Sequence, residues 1–412
     1  MTAEARSERA GARSRRSLVL AAAAVAALLW LLAARALWHT TVPSGISLSG
    51  EDPRDVFSAG FLDRSASYER FMAIDALLAA LTLLVVLALY ARHGARLMRE
   101  SAAGPIGTGM MLGMLGLGIV WLAEVPFGVA AVWWERRHGV SHQGYVEALL
   151  QSFLALGGTF LAVSFALLVT MFLARLLRGW WWLVAAPFFV GLALLTAYTA
   201  TYLIPDTRPL RDASLVADAR ELAKIEGVPE TKVEVQDVGR YTDAPNAGAV
   251  GFGATRRVIL WDTLLDGRFS DDELRAVLAH ELGHVSHRHV LKSVGWLALF
   301  LLPATALVAV ATRPRGGLAR PEAVPVALFV LVALSVAAQP LQNVVSRRME
   351  VEADWAALQA TRDPVAARDL FRRLATTSLS DPAPPSWSYV LNATHPTMAQ
   401  RIALTRAWEE RR

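Results

Sequence analysis

The fold is decided by a stretch near the middle of the chain, where residues 270–284 run Ser270-Asp-Asp-Glu273-Leu-Arg-Ala-Val-Leu-Ala-His280-Glu281-Leu-Gly-His284. Ser270 and Glu273 have the spacing of a capping box, in which each side chain accepts a hydrogen bond from the backbone N–H of the other residue. This pattern predicts the start of a long helix. The far end of that helix carries the motif H-E-x-x-H, whose spacing suits a metal ion and a nearby base.

The two histidines of this motif lie one helical turn apart. Residues i and i+4 differ by about 40° around a helix axis, so both imidazoles can reach one metal ion. Glu281 projects differently and is predicted to act as a base on a metal-bound water. His287 lies about 10 Å along the axis from His280, and His289 points to the opposite side of a continuous helix. We predict for both a place in solvent, at an interface or behind the ligands.

A catalytic zinc takes a third protein ligand and leaves one position open for water. The chain has no cysteine, which excludes thiolate ligands, disulfides and a thiol nucleophile. The best source of a third ligand is the segment Glu350-Val-Glu352-Ala-Asp354. On a helix, Glu350 and Asp354 share one face and Glu352 points away. We predict that Glu350 binds zinc and that Asp354 accepts a hydrogen bond from a zinc-bound histidine.

The composition is that of a membrane protein. Of 412 residues, 54% are hydrophobic and 19% are charged, and the mean hydropathy is +0.37, which departs from ordinary soluble usage. The net charge is +5, but the arginines are scattered and many lie at the ends of apolar runs, where they set membrane topology. We therefore predict no nucleic-acid partner.

Seven apolar stretches are long enough to cross a bilayer, which takes about 20 helical residues. The first follows a basic leader and resembles a secretory signal. It is longer than the about 7–15 residues of a signal core, so a retained span is predicted. The stretches are Ser17–Trp38, Phe71–Tyr90, Pro105–Trp134, Val146–Leu177, Trp180–Ile204, Val290–Thr312 and Pro325–Val345.

The polar parts of the chain predict a small α+β domain. Ala213–Gly227 has the pattern of an amphipathic helix that ends at a glycine, and Val233–Val238 alternates like a strand. Ala247–Gly253 and Arg257–Trp261 flank a short turn like the strands of a hairpin. The predicted fold is an α-helical multi-pass membrane protein of seven spans with a small α+β zincin-like catalytic domain. Its predicted parts are residues 1–204 with five spans, 205–289 as the first catalytic part, 290–345 as a two-span hairpin, and 346–412 as the C-terminal catalytic part.

The chain resembles the type I CAAX prenyl proteases, which are integral-membrane zinc metalloendopeptidases with H-E-x-x-H and a downstream glutamate. Five motifs carry the resemblance in matching order and spacing. Together with seven predicted spans they cover nearly the whole chain. The motifs are Pro245-Asn246-Ala-Gly-Ala-Val-Gly-Phe-Gly, Val258-Ile-Leu-Trp-Asp262-Thr-Leu-Leu, Glu273-Leu-Arg-Ala-Val-Leu-Ala-His280-Glu281-Leu-Gly-His284, Glu350-Val-Glu-Ala-Asp354, and Thr394-His395-Pro396 with Arg401.

The resemblance implies one Zn²⁺ ion, a large chamber inside the ring of helices with the zinc site at its mouth, and a peptide or protein substrate that is lipid-modified or membrane-associated. It implies that Asn246, Ala247 and Gly248 lie along the substrate cleft on an edge strand to which a peptide adds. It also implies that His395 and Arg401 lie near the metal and stabilise the oxyanion. Gly248, Ala249 and Val250 replace the more aromatic residues usual in that strand.

Three functions stay open at this point. The first is a CAAX-type endopeptidase of the cell membrane. The second is a quality-control protease for damaged membrane proteins, like the heat-shock branch of the same superfamily, which has fewer spans. The third is a seven-helix transporter or receptor with a structural zinc, although structural sites close with four ligands. The positive-inside rule points the zinc domain outward and the resemblance points it to the cytoplasm, so the orientation also stays open.

Overall fold

The computed structural model describes residues 21, 24–48, 52–97 and 102–411. Within these residues the chain is mostly helical and has one small sheet. The thirteen helices of the described residues are α1 Ala24–Leu37, α2 Pro53–Val56, α3 Ala59–His93, α4 Gly104–Arg137, α5 Tyr145–Leu177, α6 Trp181–Thr199, α7 Ala213–Ile225, α8 Asp271–Ser286, α9 His289–Thr312, α10 Val324–Thr361, α11 Pro364–Ser378, α12 Ser386–Asn392 and α13 Met398–Glu409.

Five helical segments of the described chain are long and apolar enough to cross a membrane. They confirm a multi-pass helical membrane region, whereas the number of seven spans stays a prediction. The segments are Ala59–Arg96, Gly104–Arg137, Tyr145–Tyr202, His289–Arg315 and Pro321–Thr361.

Two features explain the difference between five and seven. The third segment contains two of the predicted spans, because α5 and α6 are divided at Arg178, whose φ of 53° lies outside right-handed helix geometry. The predicted first span, Ser17–Trp38, lies partly outside the described residues. Its described part is the apolar helix α1, which is too short to count as a span by itself.

Glycines bring the membrane helices α4 and α5 together. A Cβ atom at Gly109 would overlap the side chain of Met171, and one at Gly113 would overlap Leu167. Small residues at such contacts let two helix backbones approach closely, which is how helices associate where lipid is as apolar as leucine. On the outer faces, side chains such as Leu81 and Leu161 are exposed. A bilayer would cover them.

The four-stranded sheet has the order β1-β2-β4-β3. Strand β2 runs parallel to β4, and β1 and β3 run antiparallel to their neighbours. The predicted hairpin is confirmed, since β3 pairs with β4 from Ala247 opposite Leu260 to Val250 opposite Arg257. Strand β1 was not predicted from the sequence. The strands are β1 Thr207–Pro209, β2 Lys232–Gln236, β3 Ala247–Val250 and β4 Arg257–Trp261.

The sheet, α7, α8, α11, α13 and the last part of α10 share one hydrophobic core. Leu222, Leu260, Leu278 and Ile402 are almost completely buried in it. The predicted capping box at Ser270 is confirmed, and its Glu273 also accepts hydrogen bonds from Arg373 of α11. Helix α10 passes without a break across the predicted boundary at residues 345/346. It therefore joins the membrane helices directly to the core around α8.

Candidate metal and catalytic site

The two histidines of the H-E-x-x-H motif lie one turn apart on α8, as predicted. The Nε2 atoms of His280 and His284 are 3.1 Å apart. Glu350 reaches this pair from α10, with its Oε2 atom 3.3 Å from His280 Nε2 and its Oε1 atom 3.5 Å from His284 Nε2. The structure therefore brings together the three side chains that the sequence predicted as metal ligands.

Gly283 allows this close approach of α8 to α10. A Cβ atom at Gly283 would lie 3.2 Å from the carbonyl oxygen of Ala353 and 3.2 Å from the Cβ of Ala356. Both distances are tighter than ordinary van der Waals contact, so a larger residue would push the helices apart. The glycine inside H-E-x-x-H is thus a packing residue, and it sets the distance between the histidines and Glu350.

The arrangement fits a cation. One atom each of His280, His284 and Glu350 lies within 4.8 Å of the other two, as a shared ion requires. Glu350 Oε2 is buried and accepts no hydrogen bond from the described residues. Burial lowers the pKa of His280, but the charge of Asp354 and the neighbouring carboxylate of Glu350 raise it on balance to about 10. The surrounding carboxylates therefore favour positive charge at this point.

Asp354 stands behind His280. Its Oδ1 atom lies 2.8 Å from His280 Nδ1, the position predicted from the sequence. Arg401 of α13 donates to the same carboxylate through Nε at 2.9 Å and Nη2 at 2.6 Å. The guanidinium also lies over the ring of Phe371. Arg401 is only 7% exposed, and although burial lowers its pKa, the charge of Asp354 raises it above the ordinary value.

A different set of residues stands behind His284. His289 Nδ1 lies 2.8 Å from His284 Nδ1, and His289 Nε2 lies 3.0 Å from Glu352 Oε2. The predicted direction of His289 is wrong because α8 ends at Ser286 and Arg288 takes the left-handed conformation, with φ of 56°. The turn sends His289 back toward the ligands. Glu352 points away from Glu350, as predicted, and this direction takes it to His289.

A cavity of about 810 Å³ opens beside His280. Glu281, His395 and Arg401 line it together with His280. His395 Nε2 lies 3.4 Å from Glu350 Oε2, and 58% of the His395 side chain is exposed. Its Nδ1 atom lies 3.0 Å from Thr394 Oγ1. The structure thus gathers the predicted base and both predicted oxyanion residues at one cavity.

The predicted substrate strand borders the same cavity. Asn246 and Ala247 line it, whereas Gly248 follows farther along β3. Asn246 accepts a backbone hydrogen bond from Trp261, and Gly248 pairs with Ile259. Alternate residues of an antiparallel pair direct their backbone groups outward. Ala247 and Ala249 therefore point theirs to the outer side of β3, the last strand of the sheet.

A family profile described as peptidase family M48 matches residues 209–409, which contain the three ligand residues and the residues behind them. A protease HtpX homolog of Acidiphilium cryptum is 32% identical over 214 residues, which cover 47% of this chain and 72% of that protein. The chain belongs to peptidase family M48. The ligand cluster lies within the matched region, whereas the cavity is also lined by residues of α3 such as Tyr68 and Met72.

Further relatives match other shares of the chain. An uncharacterized metalloprotease YhfN of Bacillus subtilis is 30% identical over 55% of this chain, and the chain spans 56% of that relative. The CAAX prenyl protease 1 of Saccharomyces cerevisiae is 38% identical over 87 residues, 21% of this chain and 19% of that protein.

One solved structure shares the fold across almost the whole chain. The crystal structure of S. mikatae Ste24p aligns with a TM-score of 0.68 and covers 94% of this chain and 98% of that one, at 19% identity. The fold of this family M48 chain, including its membrane helices, is therefore similar to that of Ste24p.

Proposed function

We propose that the chain is a zinc-dependent membrane endopeptidase. One observation carries the proposal: ligand atoms of His280, His284 and Glu350 meet within 4.8 Å at a cavity that Glu281 also lines. Membership of family M48 and the metalloprotease names of its relatives support it. Five apolar helical segments support a place in a membrane, and we propose the cell membrane.

Zinc is the metal that this set of donors suits. Two imidazoles, one carboxylate and no thiolate form the donor set of catalytic zinc in several peptidases, and three protein ligands leave a fourth position open. When bound, zinc lowers the pKa of water and polarises the scissile carbonyl. The three ligand side chains would hold the ion, and Asp354 behind His280 keeps that imidazole oriented.

Glu281 carries the proton transfers. Its carboxylate takes the proton of the attacking water and then gives a proton to the nitrogen of the departing amine, as general base and general acid in turn. His395 is exposed to the cavity beside Glu350 and stabilises the oxyanion by donating a hydrogen bond. The same role was predicted for Arg401. Its hydrogen bonds to Asp354 instead support a positioning role through Asp354 and His280.

The substrate is a peptide that binds in an extended form along β3. Ala247 and Ala249 offer outward backbone groups, so the peptide adds to the sheet as a further strand. Asn246 stands at the start of that strand beside the cavity, and Gly248 leaves space for the side chains of the peptide. The small residues of β3 support a cleft that accepts bulky or lipid-modified substrates.

The predicted division at residues 204, 289 and 345 and the seven predicted spans are part of this proposal. In this scheme α5 and α6 are separate spans, and α1 is the described part of the first span. The likeness to the fold of Ste24p over 94% of the chain supports it.

A quality-control protease for membrane proteins is the second candidate. The match to the HtpX homolog of Acidiphilium cryptum, which covers 72% of that protein, favours it. A transporter or receptor with a structural zinc is disfavoured, because three ligands beside an acid at an open cavity suit hydrolysis better than a closed structural site.

Cleavage by purified protein tests the proposal. Bound metal is measured, and then a farnesylated peptide, its unfarnesylated twin and unfolded casein are incubated with wild type and with Glu281→Gln. We expect one zinc per chain in both proteins and cleavage by wild type only. Preference for the farnesylated peptide supports CAAX-type processing, and preference for casein supports quality control. A zinc-loaded wild type that cleaves none of the three contradicts the proposal.

A further inference from the structure

The buried side chains of His289 and Glu352 lie behind His284 and form a hydrogen-bonded relay. The relay ends at Thr41 in the N-terminal segment, the part of the chain that follows α1. Glu352 is 2% exposed and His289 is 4% exposed. Beyond His289, the Oε2 atom of Glu352 accepts from Lys292 Nζ at 2.7 Å. Its Oε1 atom accepts from the backbone N–H of Thr41 at 2.7 Å and from the Thr41 hydroxyl at 3.2 Å. The carboxylate therefore faces donors at both of its oxygens.

This hydrogen-bond order fixes the proton positions along the relay. An ionised carboxylate only accepts, so His289 Nε2 carries the proton that points to Glu352. His284 turns its Nε2 atom toward Glu350 and His280, where a metal ligand needs a lone pair. Its proton therefore lies on Nδ1, 2.8 Å from His289 Nδ1. The Nδ1 atom of a neutral ring with a protonated Nε2 is an acceptor. His284 Nδ1 must then donate to it, and the lone pair of His284 Nε2 faces Glu350 and His280.

We propose that His289 and Glu352 are positioning residues that fix the orientation and tautomer of His284, and that Thr41 connects the N-terminal segment to this relay. The proposal rests on the proposed zinc site. A metal-binding imidazole needs a free lone pair on the metal side and a proton on the other, and partners on that other side set both. His280 obtains this from Asp354 directly, and His284 obtains it through a second imidazole.

Contacts around Thr41 support the link to the N-terminal segment. Trp38 packs edge-on against Trp296 of α9, and its carbonyl accepts from Arg348 of α10. Leu37 fills the space that Gly295 leaves on α9. The segment that follows α1 is therefore held against the same two helices that carry His289 and Glu352.

Zinc affinity tests the relay without relying on cleavage. His289→Leu removes the acceptor for His284 Nδ1. His289→Asn keeps an acceptor near the place of the imidazole Nδ1. Glu352→Gln puts an amide NH₂ against at least one of its present donors. We expect zinc affinity, measured by chelator competition, to fall about 10- to 100-fold in His289→Leu and Glu352→Gln. We expect His289→Asn to stay within a few-fold of wild type.

The absorption spectrum of the cobalt-loaded protein is the second readout, because its visible bands follow ligand geometry. We expect altered bands in His289→Leu and Glu352→Gln. Glu234→Gln is the matched control, since Glu234 is also a largely buried acid in an ion pair, with Arg257 at 2.8 Å, but lies in β2. It should keep both the affinity and the spectrum of wild type.

The outcomes separate the relay from the proposed activity. If His289→Leu and Glu352→Gln bind zinc like Glu234→Gln and give its cobalt spectrum, the relay is overturned, whatever the cleavage assay shows. If both lose zinc while the zinc-loaded wild type cleaves nothing, the relay stands and the proposed activity fails. If His289→Leu loses helix content by circular dichroism, Glu352→Gln with wild-type helix content decides the question.

Discussion

The two histidine ligands of α8 are supported in two different ways. Behind His280, Asp354 acts directly and is held by the buried Arg401, so this support lies within α10 and α13. Behind His284, the support passes through His289 to Glu352 and on to Lys292 and the N-terminal segment. His280 is thus supported by residues of the catalytic core. His284 is supported in part by the start of the membrane helix α9, which carries His289 and Lys292. The metal site joins the two parts of the molecule.

The largest expected effect is on catalysis, in a variant that leaves the supports of both histidines unchanged. Glu281→Gln removes the base but none of the contacts behind the histidines, so zinc stays bound. We expect kcat to fall about 10²- to 10⁴-fold, the usual contribution of general acid–base catalysis. Steady-state cleavage and metal analysis of the same sample check this. Near-normal turnover would show that another group carries the proton.

The second largest effect is on stability, and it distinguishes the support behind His280 from the support behind His284. Asp354→Asn leaves the guanidinium of Arg401 buried without its charged partner, and breaking a buried ion pair costs about 3–5 kcal/mol. Glu352→Gln leaves Lys292, which is 22% exposed and can reach water. We expect both variants to bind zinc more weakly, and only Asp354→Asn to lower the thermal unfolding temperature strongly. Equal destabilisation would mean that the two supports do not differ in kind.

A smaller effect is expected where the two helices meet. Gly283→Ala gains about 1 kcal/mol of helix propensity and loses about 1–3 kcal/mol to overpacking against Ala353 and Ala356. Stability should change little, while zinc affinity falls several-fold because Glu350 moves away from both histidines. Chelator competition and thermal unfolding measure the two quantities. A loss of stability without a change in zinc affinity would show that the added methyl group does not move Glu350 relative to the histidines.

The smallest effect concerns the N-terminal end of the relay. Thr41→Val keeps the backbone N–H that reaches Glu352 but removes the hydroxyl, which also lies 3.0 Å from His287 Nε2. A hydrogen bond of this kind contributes about 0.5–1.5 kcal/mol. We expect a drop in zinc affinity smaller than that of Glu352→Gln. An equal or larger drop would make Thr41, rather than Glu352, the main anchor of His289.

The sequence predicted the support behind His280 residue by residue, but gave a place behind the ligands as only one of three possible places for His289. Asp354 was found because it shares a helix face with Glu350 at a spacing of four residues. The direction of His289 was predicted wrongly because Arg288 adopts a left-handed conformation that arginine rarely takes. No residue pattern marks such a break. If α8 is assumed to continue through residue 289, His289 is predicted to point away from the ligands. Glu352 then has no predicted partner.

The same limits apply to the fold. The capping box at Ser270 and the hairpin of β3 and β4 follow from local side-chain and turn chemistry, and both were predicted. Strand β1 has only three residues and contains Pro209, so its pairing depends on β2 and leaves no pattern of its own. The break at Arg178 lies between two spans that were predicted separately, Val146–Leu177 and Trp180–Ile204.

Helix α10 connects the membrane region to the proposed metal ligand Glu350. Its 38 residues span about 57 Å at 1.5 Å per residue, nearly twice the about 30 Å of a hydrocarbon layer. Helices tilt to match the thickness of the layer around them, and a tilt at one end of α10 displaces Glu350 at the other. The rate of peptide cleavage in vesicles should therefore depend on acyl-chain length, even for a peptide that never touches lipid.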